Sequence, residues 1–344
     1  MKKWYEDSLD TDIVVSSRIR LARNYKKYPF SVKLSLPQAE KMIEETKKIL
    51  LEGNTVLSRE FEYISVFNNK PVNKRAMMES HVISPELVRK TSPCGVLVRN
   101  DESISIMVNE EDHLRIQSMA AGMNLYKAWD LADKIDNVLE ESIEYAFDEA
   151  LGYLTSCPTN VGTGMRASYM LHLPALEWSG QLQNILQAIG KLGFTVRGLY
   201  GEGTKAEGSY YQISNQITLG QSESEIIDNL DTVTMQIVEQ EKTIRERILK
   251  DRKIEFVDKI YRSYGIIKYA KVLTTKEAMT YLSDIKMGYE MGILNEPKAK
   301  INIYGLVMNI QPGNLQKKIG LDLNNQEIDE KRASFIREQF NYIG

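Results

Sequence analysis

The chain has 344 residues, of which 42% are hydrophobic and 26% are charged, and its formal net charge at pH 7 is −3. This composition is typical of an ordinary globular protein long enough for two domains, and it excludes a general electrostatic attraction for nucleic acid or anionic membranes. Because no apolar run approaches about 18 residues and no signal-peptide core follows Met1, we expect a protein that neither spans a membrane nor is secreted.

Cysteine and histidine are both scarce in this chain. Cys94 and Cys157 are the two cysteines and could form one disulfide. Nothing else in the sequence indicates an oxidising compartment, which favours a reduced, cytoplasmic protein. The three histidines are not spaced with the cysteines as zinc ligands would be, so no structural zinc site is predicted.

The N-terminal part is predicted to alternate strands with short helices. After a polar lead, residues 1–12, an apolar segment runs into Ser16-Ser17-Arg18-Ile19-Arg20. A capping box at Ser35 predicts a helix over about 36–51, which ends at Gly53. The further predicted elements are strands over 55–57 and 62–67, a helix start at Ser84-Pro85-Glu86, and a hairpin of residues 95–99 and 103–108.

The middle of the chain is predicted to begin with a long amphipathic helix over 125–151. Apolar side chains between Leu131 and Ala146 recur at helical spacing on one face. The elements predicted next are a strand over 167–173, a helix over 178–192, a strand over 194–199, a glycine-rich loop over 201–208 and a hairpin over 210–219 turned near Ser214-Asn215.

The C-terminal part is predicted to be helical. Capping boxes at Ser222 and Thr274 begin helices, and no convincing strand follows the predicted hairpin. We therefore predict an α+β fold, with an antiparallel sheet flanked by helices and a C-terminal all-helical domain. A boundary near residues 245–255 would separate a catalytic domain, 1–250, from the helical domain, 251–344.

One signature stretch, residues 157–166, concentrates groups that a binding site can use. It reads Cys-Pro-Thr-Asn-Val-Gly-Thr-Gly-Met-Arg. Pro158 biases Cys157 towards an extended conformation, so the preceding helix should stop before the thiol. Gly162 and Gly164 permit backbone dihedrals that side chains forbid, and they let the main chain approach a ligand closely. Arg166 opens the next strand, but taken alone the stretch would be a turn with an incidental cysteine.

Two further motifs carry charge. Arg18 and Arg20 are two residues apart on an extended segment and point the same way, and a planar guanidinium suits phosphate better than an ammonium does. Glu110 and Glu111 are paired carboxylates. To present a neutral guanidinium nitrogen at pH 7 costs on the order of 7 kcal/mol, which a nearby carboxylate base would lower. Taken alone, each motif would be a solvated surface segment.

Together these motifs resemble the phosphagen (ATP:guanido) kinases, because four of that family's patterns occur here in the family's order. They are Ser-Arg-Ile-Arg at 17–20, Asn-Glu-Glu-Asp-His-Leu-Arg at 109–115, the signature stretch at 157–166, and Arg-Gly-Leu-Tyr-Gly-Glu at 197–202. Neither a P-loop nor the H-R-D and D-F-G motifs of protein kinases occur. The resemblance implies ATP phosphates held by side chains, with Mg²⁺ held mainly through nucleotide oxygens and water.

The resemblance also implies roles for individual residues. Glu111 would accept the guanidinium proton with Glu110 beside it, Glu202 would orient the planar acceptor, and Cys157 would place a thiolate next to it. Since strand neighbours face opposite ways, either Glu110 or Glu111 should point elsewhere, towards the water shell of the metal. The implied ATP site comprises Ser16, Ser17, Arg18, Ile19, Arg20, His81, Arg115, Arg166, Ala167, Ser168, Tyr169, Met170, Arg197, Gly198, Leu199, Tyr200, Gly201 and Glu202. Tyr200 departs from the pattern, since arginine-kinase relatives carry another arginine there.

The layout is similar to that of the bacterial protein-arginine kinases of the McsB type. The Ser-x-Arg-x-Arg segment begins at residue 16, and the helical domain is predicted at the C-terminal end, so the site is expected to admit an arginine of another protein. The resemblance implies a stress-response kinase that marks proteins for Clp protease, acts on a heat-shock repressor, has an activator protein and forms a homodimer. The family's phosphoarginine-binding motif reads Ile328-Asp329-Glu330-Lys331-Arg332-Ala333 here. Asp329 and Arg332 could form a weakened pocket.

Two other functions remain open from the sequence. A kinase of free arginine or of another small guanidino compound would need the same arginines and glutamates. A non-catalytic adaptor that binds a repressor or a protease could retain the fold without turnover, although the intact set of charged residues argues against it.

Overall fold

The structure is a computed structural model that describes residues 2–6, 12–52, 57–198, 207–295, 301–321 and 323–341. Its main feature is an eight-stranded sheet with helices around it, and the ladders that join five of these strands are antiparallel. The predicted α+β class with an antiparallel sheet is therefore confirmed. In the described part of the chain after residue 215 every regular element is a helix, as predicted.

The strands occupy the first two thirds of the chain. They are β1 (Val14–Arg23), β2 (Phe61–Ser65), β3 (Gly95–Arg99), β4 (Ile104–Val108), β5 (Leu114–Ala121), β6 (Phe147–Asp148), β7 (Gly152–Tyr153), β8 (Met165–His172), β9 (Phe194–Gly198) and β10 (Tyr210–Asn215). In the main sheet they follow the order β2-β3-β4-β5-β1-β8-β10-β9, and β6 and β7 form a separate pair. β1 therefore lies between β5 and β8.

The helices connect these strands and make up the C-terminal part. They are α1 (Leu36–Leu51), α2 (Leu57–Glu60), α3 (Pro71–Glu79), α4 (Pro85–Arg89), α5 (Leu125–Glu140), α6 (Pro174–Trp178), α7 (Leu182–Lys191), α8 (Glu223–Asp251), α9 (Lys253–Tyr269), α10 (Thr275–Glu290), α11 (Ile303–Asn309), α12 (Pro312–Ile319) and α13 (Asn325–Asn341). The capping boxes predicted at Ser35 and Thr274 are present.

By packing, the chain divides into two compact units. The first comprises residues 1–4, 16–168 and 214–231, and the second comprises residues 5–15, 169–213 and 232–344. The units interleave along the chain, and the domain boundary predicted near residues 245–255 stays a prediction. The arginines and carboxylates of the signature motifs up to Arg166 all belong to the first unit.

Three predicted elements differ from the observed ones. The helix predicted over 125–151 ends at Glu140, because the following residues pair with the chain after β1, where Tyr25 bridges to Tyr145. The helix predicted over 178–192 is observed as α7 and begins later, at Leu182, because α6 ends at Trp178 and Gly180, with a φ of +73°, separates the two helices. The strand predicted over 55–57 lies largely outside the described residues, and α2 begins at Leu57.

The hairpin predicted over 210–219 forms its first strand alone. Asn215 ends β10, which lies between β8 and β9, and its side chain bonds to nearby backbone: Oδ1 accepts from the backbone N of Ala167 at 2.8 Å, and Nδ2 donates to the carbonyl oxygens of Met165 and Ile217. Thr218 then bonds to the loop of the signature stretch. Asn215 therefore links the start of β8 to the segment that was expected to be a second strand.

The two glycines of the signature stretch adopt left-handed conformations, with φ of +115° at Gly162 and +64° at Gly164. Both approach protein backbone closely. A Cβ on Gly164 would lie 2.7 Å from the carbonyl oxygen of Ala22, at the end of β1, and the same distance from Nη1 of Arg23. The predicted backbone freedom is confirmed, and it allows the loop to pack on β1 just before Arg166.

We predict that Gly164→Ala destabilises the protein by about 3 kcal/mol, of which about 1–2 kcal/mol is the left-handed conformation and the rest is the collision with backbone. Gly180→Ala is the matched control, because Gly180 has a similar φ of +73° and nothing lies within 4 Å of its Cβ position. Urea unfolding of both variants measures the difference. Equal losses of stability would contradict the close packing of the loop on β1.

Candidate active site

Four arginines converge from three adjacent strands, and we call them the arginine cluster: Arg18 and Arg20 on β1, Arg115 on β5 and Arg166 on β8. On β1 their side chains alternate with the core residues Ile19 and Leu21, both of which are 0% exposed. Arg20 pairs with Gln117 across the sheet, and Arg115 lies two residues before Gln117 on the same face of β5. The strand period of two therefore directs these guanidinium groups to one side of the sheet.

The arginine cluster carries strong internal repulsion. Burial, followed by the charges of Arg18, Arg115 and Arg166, lowers the pKa of the Arg20 guanidinium well below its usual value, while Glu110 opposes this effect. Because arginine stays protonated in proteins, the unfavourable charge remains. Nε of Arg20 is also buried and has no hydrogen-bond partner among the described residues. A polyanion in front of these groups would relieve both costs.

His81 lies beside the arginine cluster. It occupies the turn between α3 and α4 with a φ of +59°, and it is buried, so it is not a surface histidine. Burial and the charges of Arg18 and Arg20 lower its pKa to about 3, which keeps the ring neutral at pH 7. Its backbone carbonyl accepts a hydrogen bond of 2.6 Å from Nε2 of Gln117, which fixes the turn to β5.

Glu110 is a buried anchor in the turn between β4 and β5. We call residues 109–113 the acidic turn. Oε1 of Glu110 accepts from Nη1 of Arg115 at 2.6 Å and from Oγ of Ser84 at 2.5 Å, and Oε2 accepts from the backbone N of Glu111 at 2.7 Å. Nζ of Lys90 also bonds to the carbonyl oxygen of Glu110 at 2.7 Å. With these partners Glu110 fixes the direction of Arg115.

Glu111 faces solvent, with 41% of its side chain exposed, and its Oε2 lies 3.4 Å from Nη2 of Arg115. Burial raises the pKa of its carboxyl, Arg115 lowers it, and the neighbouring carboxylates of Glu110, Asp112 and Glu86 raise it, with a net upward shift. Both glutamates therefore reach Arg115, Glu110 from a buried position and Glu111 from an exposed one, and the expectation that one of them turns towards the water shell of the metal stays a prediction. A carboxylate that is accessible, next to an arginine and more basic than usual has the properties of a general base.

The thiol segment, residues 154–157, lies against the acidic turn. The backbone N of Ser156 donates to Oδ1 of Asp112 at 2.6 Å. This bond joins the direct sequence neighbours of Cys157 and Glu111. Cys157 is partly exposed, and its Sγ lies 3.1 Å from Oγ1 of Thr159. Cys94, in contrast, is buried in the core next to α3 and α4, and burial raises its pKa to about 11. Both cysteines are free.

Other predicted ATP-site residues of the first unit have buried side chains, namely Ser16, Ser17, Ile19, Ala167 and Ser168. Oγ of Ser17 donates to the carbonyl of Gly122 at 2.6 Å, and Oγ of Ser168 accepts from Nε of Arg18 at 3.4 Å. Their side chains therefore support the strands or the arginines.

The other eight predicted ATP-site residues do not belong to the described part of the first unit. Tyr169 and Met170 continue β8 in the second unit, where they are buried, and Arg197 and Gly198 end β9 of that unit. Leu199, Tyr200, Gly201 and Glu202 lie outside the described residues. The roles given to these eight residues stay predictions.

Sequence reasoning missed Arg23, which orients the signature stretch. Its Nη1 donates to the carbonyl of Thr163 at 3.0 Å, its Nη2 pairs with Oδ2 of Asp136 at 2.7 Å, and its guanidinium lies 3.5 Å from the ring centroid of Tyr153. A buried arginine that is paired and stacked in this way fixes the loop ahead of Arg166. Arg23 stands three residues after Arg20, an odd spacing that places it on the opposite face of β1 from Arg18 and Arg20, and this spacing was the one available signal.

The residues of the predicted phosphoarginine motif lie on α13. Arg332 is 1% exposed. Its guanidinium donates to the carbonyl oxygens of Ile310 and Leu273, at 2.9 and 2.7 Å, and pairs with Asp329 on its own helix. Ile328 is buried. In this arrangement Arg332 joins α13 to the chain before α10 and after α11, and phosphoarginine binding by Asp329 and Arg332 stays a prediction.

The part of the chain that the structure describes contains neither a cluster of metal ligands nor a membrane-spanning helix. No group of three or more His, Cys, Asp or Glu side chains there is arranged to hold a metal ion. None of the helices there is long and apolar enough to cross a membrane.

Comparison with known proteins identifies the protein family to which the chain belongs. A family model described as ATP:guanido phosphotransferase, C-terminal catalytic domain, matches residues 41–244. Among solved structures, the duplicated taurocyamine kinase from Schistosoma mansoni is 25% identical with a TM-score of 0.61, and the match covers 71% of this chain and 36% of that chain. A lombricine kinase is 24% identical with a TM-score of 0.59, covering 71% of this chain and 72% of that one. The chain belongs to the ATP:guanido phosphotransferases.

Relatives that match nearly the whole chain show which branch of the ATP:guanido phosphotransferases it belongs to. A protein-arginine kinase from Caldanaerobacter subterraneus is 49% identical over 332 residues, 96% of this chain and 98% of the relative. Another, from Brevibacillus brevis, is 45% identical over 97% of this chain and 93% of the relative. A second family model, Protein-arginine kinase McsB C-terminal domain, matches residues 253–344. Within the ATP:guanido phosphotransferases, the chain is a member of the protein-arginine kinase family, and the resemblance read from its motifs is confirmed.

We predict that Arg20→Met raises the melting temperature of the nucleotide-free protein by about 2 °C or more, because it removes a partly buried charge that the other arginines repel. The same variant should lose most of the stabilisation that saturating ATP gives the wild type. Thermal unfolding with and without ATP measures both effects.

Arg262→Met serves as the control, because Arg262 is 76% exposed in a surface ion pair with Asp258. Its melting temperature and its response to ATP should match those of the wild type. A lower melting temperature of Arg20→Met without nucleotide, together with an unchanged ATP response, would show that the arginine cluster is not an anion site.

Proposed function

We propose that the protein phosphorylates arginine side chains of other proteins, transferring the γ-phosphoryl group of ATP with Glu111 as the base. The observation that carries the proposal is that Arg115, one of the charges that repel Arg20, also bonds to Glu110 and Glu111 of the acidic turn. A phosphoryl donor bound by the arginines and a guanidino acceptor at Glu111 would then meet at Arg115.

The arginine cluster would act by stabilising charge during transfer. Phosphoryl transfer depends mainly on positioning and on electrostatic stabilisation of the moving group. Arg18, Arg20 and Arg166 would hold the phosphates through bidentate contacts, and Glu110 would keep Arg115 directed at the transferred group. The neutral His81 would add a polar contact without more positive charge. The ATP-site roles of the buried and second-unit residues follow the family resemblance.

The acceptor arginine would lose its proton to Glu111. As the guanidinium nitrogen attacks phosphorus, the N–P bond forms and the bond to ADP breaks, while the proton passes to the Glu111 carboxylate. The raised pKa of Glu111 makes this carboxylate a stronger base, and its exposure lets a substrate side chain reach it. Cys157 would line the acceptor side next to the acidic turn. Glu202 would be the second glutamate that orients the guanidinium fork.

Mg²⁺ would accompany the nucleotide and neutralise phosphate charge. The residues of the arginine cluster do not favour direct metal ligation, which fits a cation held by phosphate oxygens and water. A cytoplasmic homodimer that acts in the stress response on a heat-shock repressor, together with an activator protein and Clp protease, is the proposed setting by family resemblance.

The test compares two acceptors and one variant. With ATP and Mg²⁺, the wild type should form phosphoarginine on an unfolded, arginine-containing protein such as casein at a higher kcat/KM than on free L-arginine. Glu111→Gln should lower kcat/KM by at least about 10²-fold while ATP still binds. Mass spectrometry under neutral conditions, which spare the acid-labile P–N bond, measures the product.

Glu144→Gln is the control, because Glu144 is an exposed carboxylate of the same unit, 74% exposed and paired with Lys26. Its activity should equal that of the wild type. The wild-type rate should also fall as pH drops through the pKa of Glu111, which lies above the ordinary value of about 4.3, because the base must be ionised. Full activity of Glu111→Gln would refute the base assignment, and a preference for free arginine would favour a small-molecule kinase.

A further inference from the structure

Asn24 is a buried amide directly after β1, and it bonds to two other segments at once. It is 1% exposed. Its Oδ1 accepts from the backbone N of His113 at 2.9 Å. Its Nδ2 donates to Oδ1 of Asp112 at 2.7 Å and to the carbonyl oxygen of Leu154 at 3.0 Å. One side chain therefore holds the acidic turn on one side and the thiol segment on the other.

Asp112 completes this link. The oxygen that accepts from Asn24 also accepts from the backbone N of Ser156 at 2.6 Å. The carbonyl of Asp112 accepts from the backbone N of Glu110 at 3.0 Å, which closes the turn around Glu111. Within the described chain, the hydrogen bonds that join the acidic turn to the thiol segment all pass through Asn24 or Asp112.

The chemistry of the amide explains why asparagine stands at this place. The position needs two donors, for a carboxylate and a carbonyl, and one acceptor, for a backbone N–H, and a single amide supplies all three. An aspartate would set its carboxylate against that of Asp112 in a buried site, where like charges are costly. An aliphatic residue would leave the carbonyl of Leu154 and the backbone N of His113 without this partner.

We propose that Asn24 is a positioning residue for the phosphoryl-acceptor site, setting the separation between Glu111 and Cys157. This inference rests on the proposed function, because it assumes that the acceptor guanidinium lies between these two residues. Asn24 directly follows β1, four residues after Arg20, so the chain that leaves the strand carrying two arginines of the cluster also sets the geometry of the acceptor side. If the hydrogen bonds of Asn24 were lost, Glu111 would be misplaced while the arginines of the cluster stay in position on their strands.

The test uses an isosteric exchange. Asn24→Asp keeps the shape and introduces repulsion against Asp112, so we expect kcat/KM for the protein acceptor to fall about 10²-fold, as a misplaced catalytic group does. The affinity for ATP, measured by titration calorimetry, should stay within about twofold, because the arginine cluster is untouched. Asn24→Asp with Asp112→Asn restores a donor–acceptor pair, and the double variant should regain about tenfold of the loss.

Tyr25→Phe is the matched control, because at the next residue it removes the hydrogen bond of 2.8 Å between the Tyr25 hydroxyl and Thr46 and keeps the bond from the backbone N of Tyr25 to Nδ1 of His113. It should keep kcat/KM within about twofold of the wild type. If Asn24→Asp fails to fold, the isosteric variant Asp112→Asn tests the positioning role in its place. We expect it to lower kcat/KM about tenfold and to leave the affinity for ATP unchanged.

The outcomes separate the two proposals. A wild type that forms no phosphoarginine on any acceptor refutes the proposed function itself. An active wild type with Asn24→Asp at the same kcat/KM overturns the positioning role. A parallel loss of ATP affinity and acceptor activity in Asn24→Asp, or a double variant worse than either single one, also overturns it, because the effect would then be a general loss of structure.

Discussion

Repulsion among four guanidinium groups is the constraint on which the rest of the first unit depends. These groups lie on three neighbouring strands of the sheet: Arg18 and Arg20 on β1, Arg115 on β5 and Arg166 on β8. The strand ladders prevent the backbone from relaxing, because the charges could separate only if sheet hydrogen bonds were lost. The fold thus keeps an unfavourable charge distribution that a triphosphate would neutralise. Binding sites commonly cost a protein stability in this way.

The carboxylates around these arginines divide into two kinds. Glu110 is buried and bonded on both oxygens, so it directs Arg115 and compensates part of the charge. Glu111 is accessible and has a raised pKa, so it remains able to take a proton. This division depends on the short turn that Asp112 closes. Local hydrogen bonds therefore give two neighbouring, identical side chains different chemistry.

Motifs with a fixed spacing predicted which arginines and carboxylates the first unit brings together. Arg18 and Arg20 share a face because strand period alone determines it, and the hairpin of β3 and β4 follows from its turn residues. The errors occur where tertiary contacts outweigh local pattern. Residues 141–151 have helical spacing but pair with the chain after β1, and the side chain of Asn215 bonds to the segment that was predicted to be a second strand. Arg23, Asn24 and Asp112 could not be assigned, because their partners are far away in sequence and become neighbours only in the fold.

The central claim is that the arginine cluster binds a polyphosphate, and the most direct test is the stabilisation that different nucleotides give the wild type. The melting temperature should be measured at saturating adenosine, AMP, ADP and ATP without Mg²⁺. The account predicts a negligible shift with adenosine and shifts that grow with each phosphate, largest for ATP and reduced by salt. Equal shifts with adenosine and ATP would contradict it.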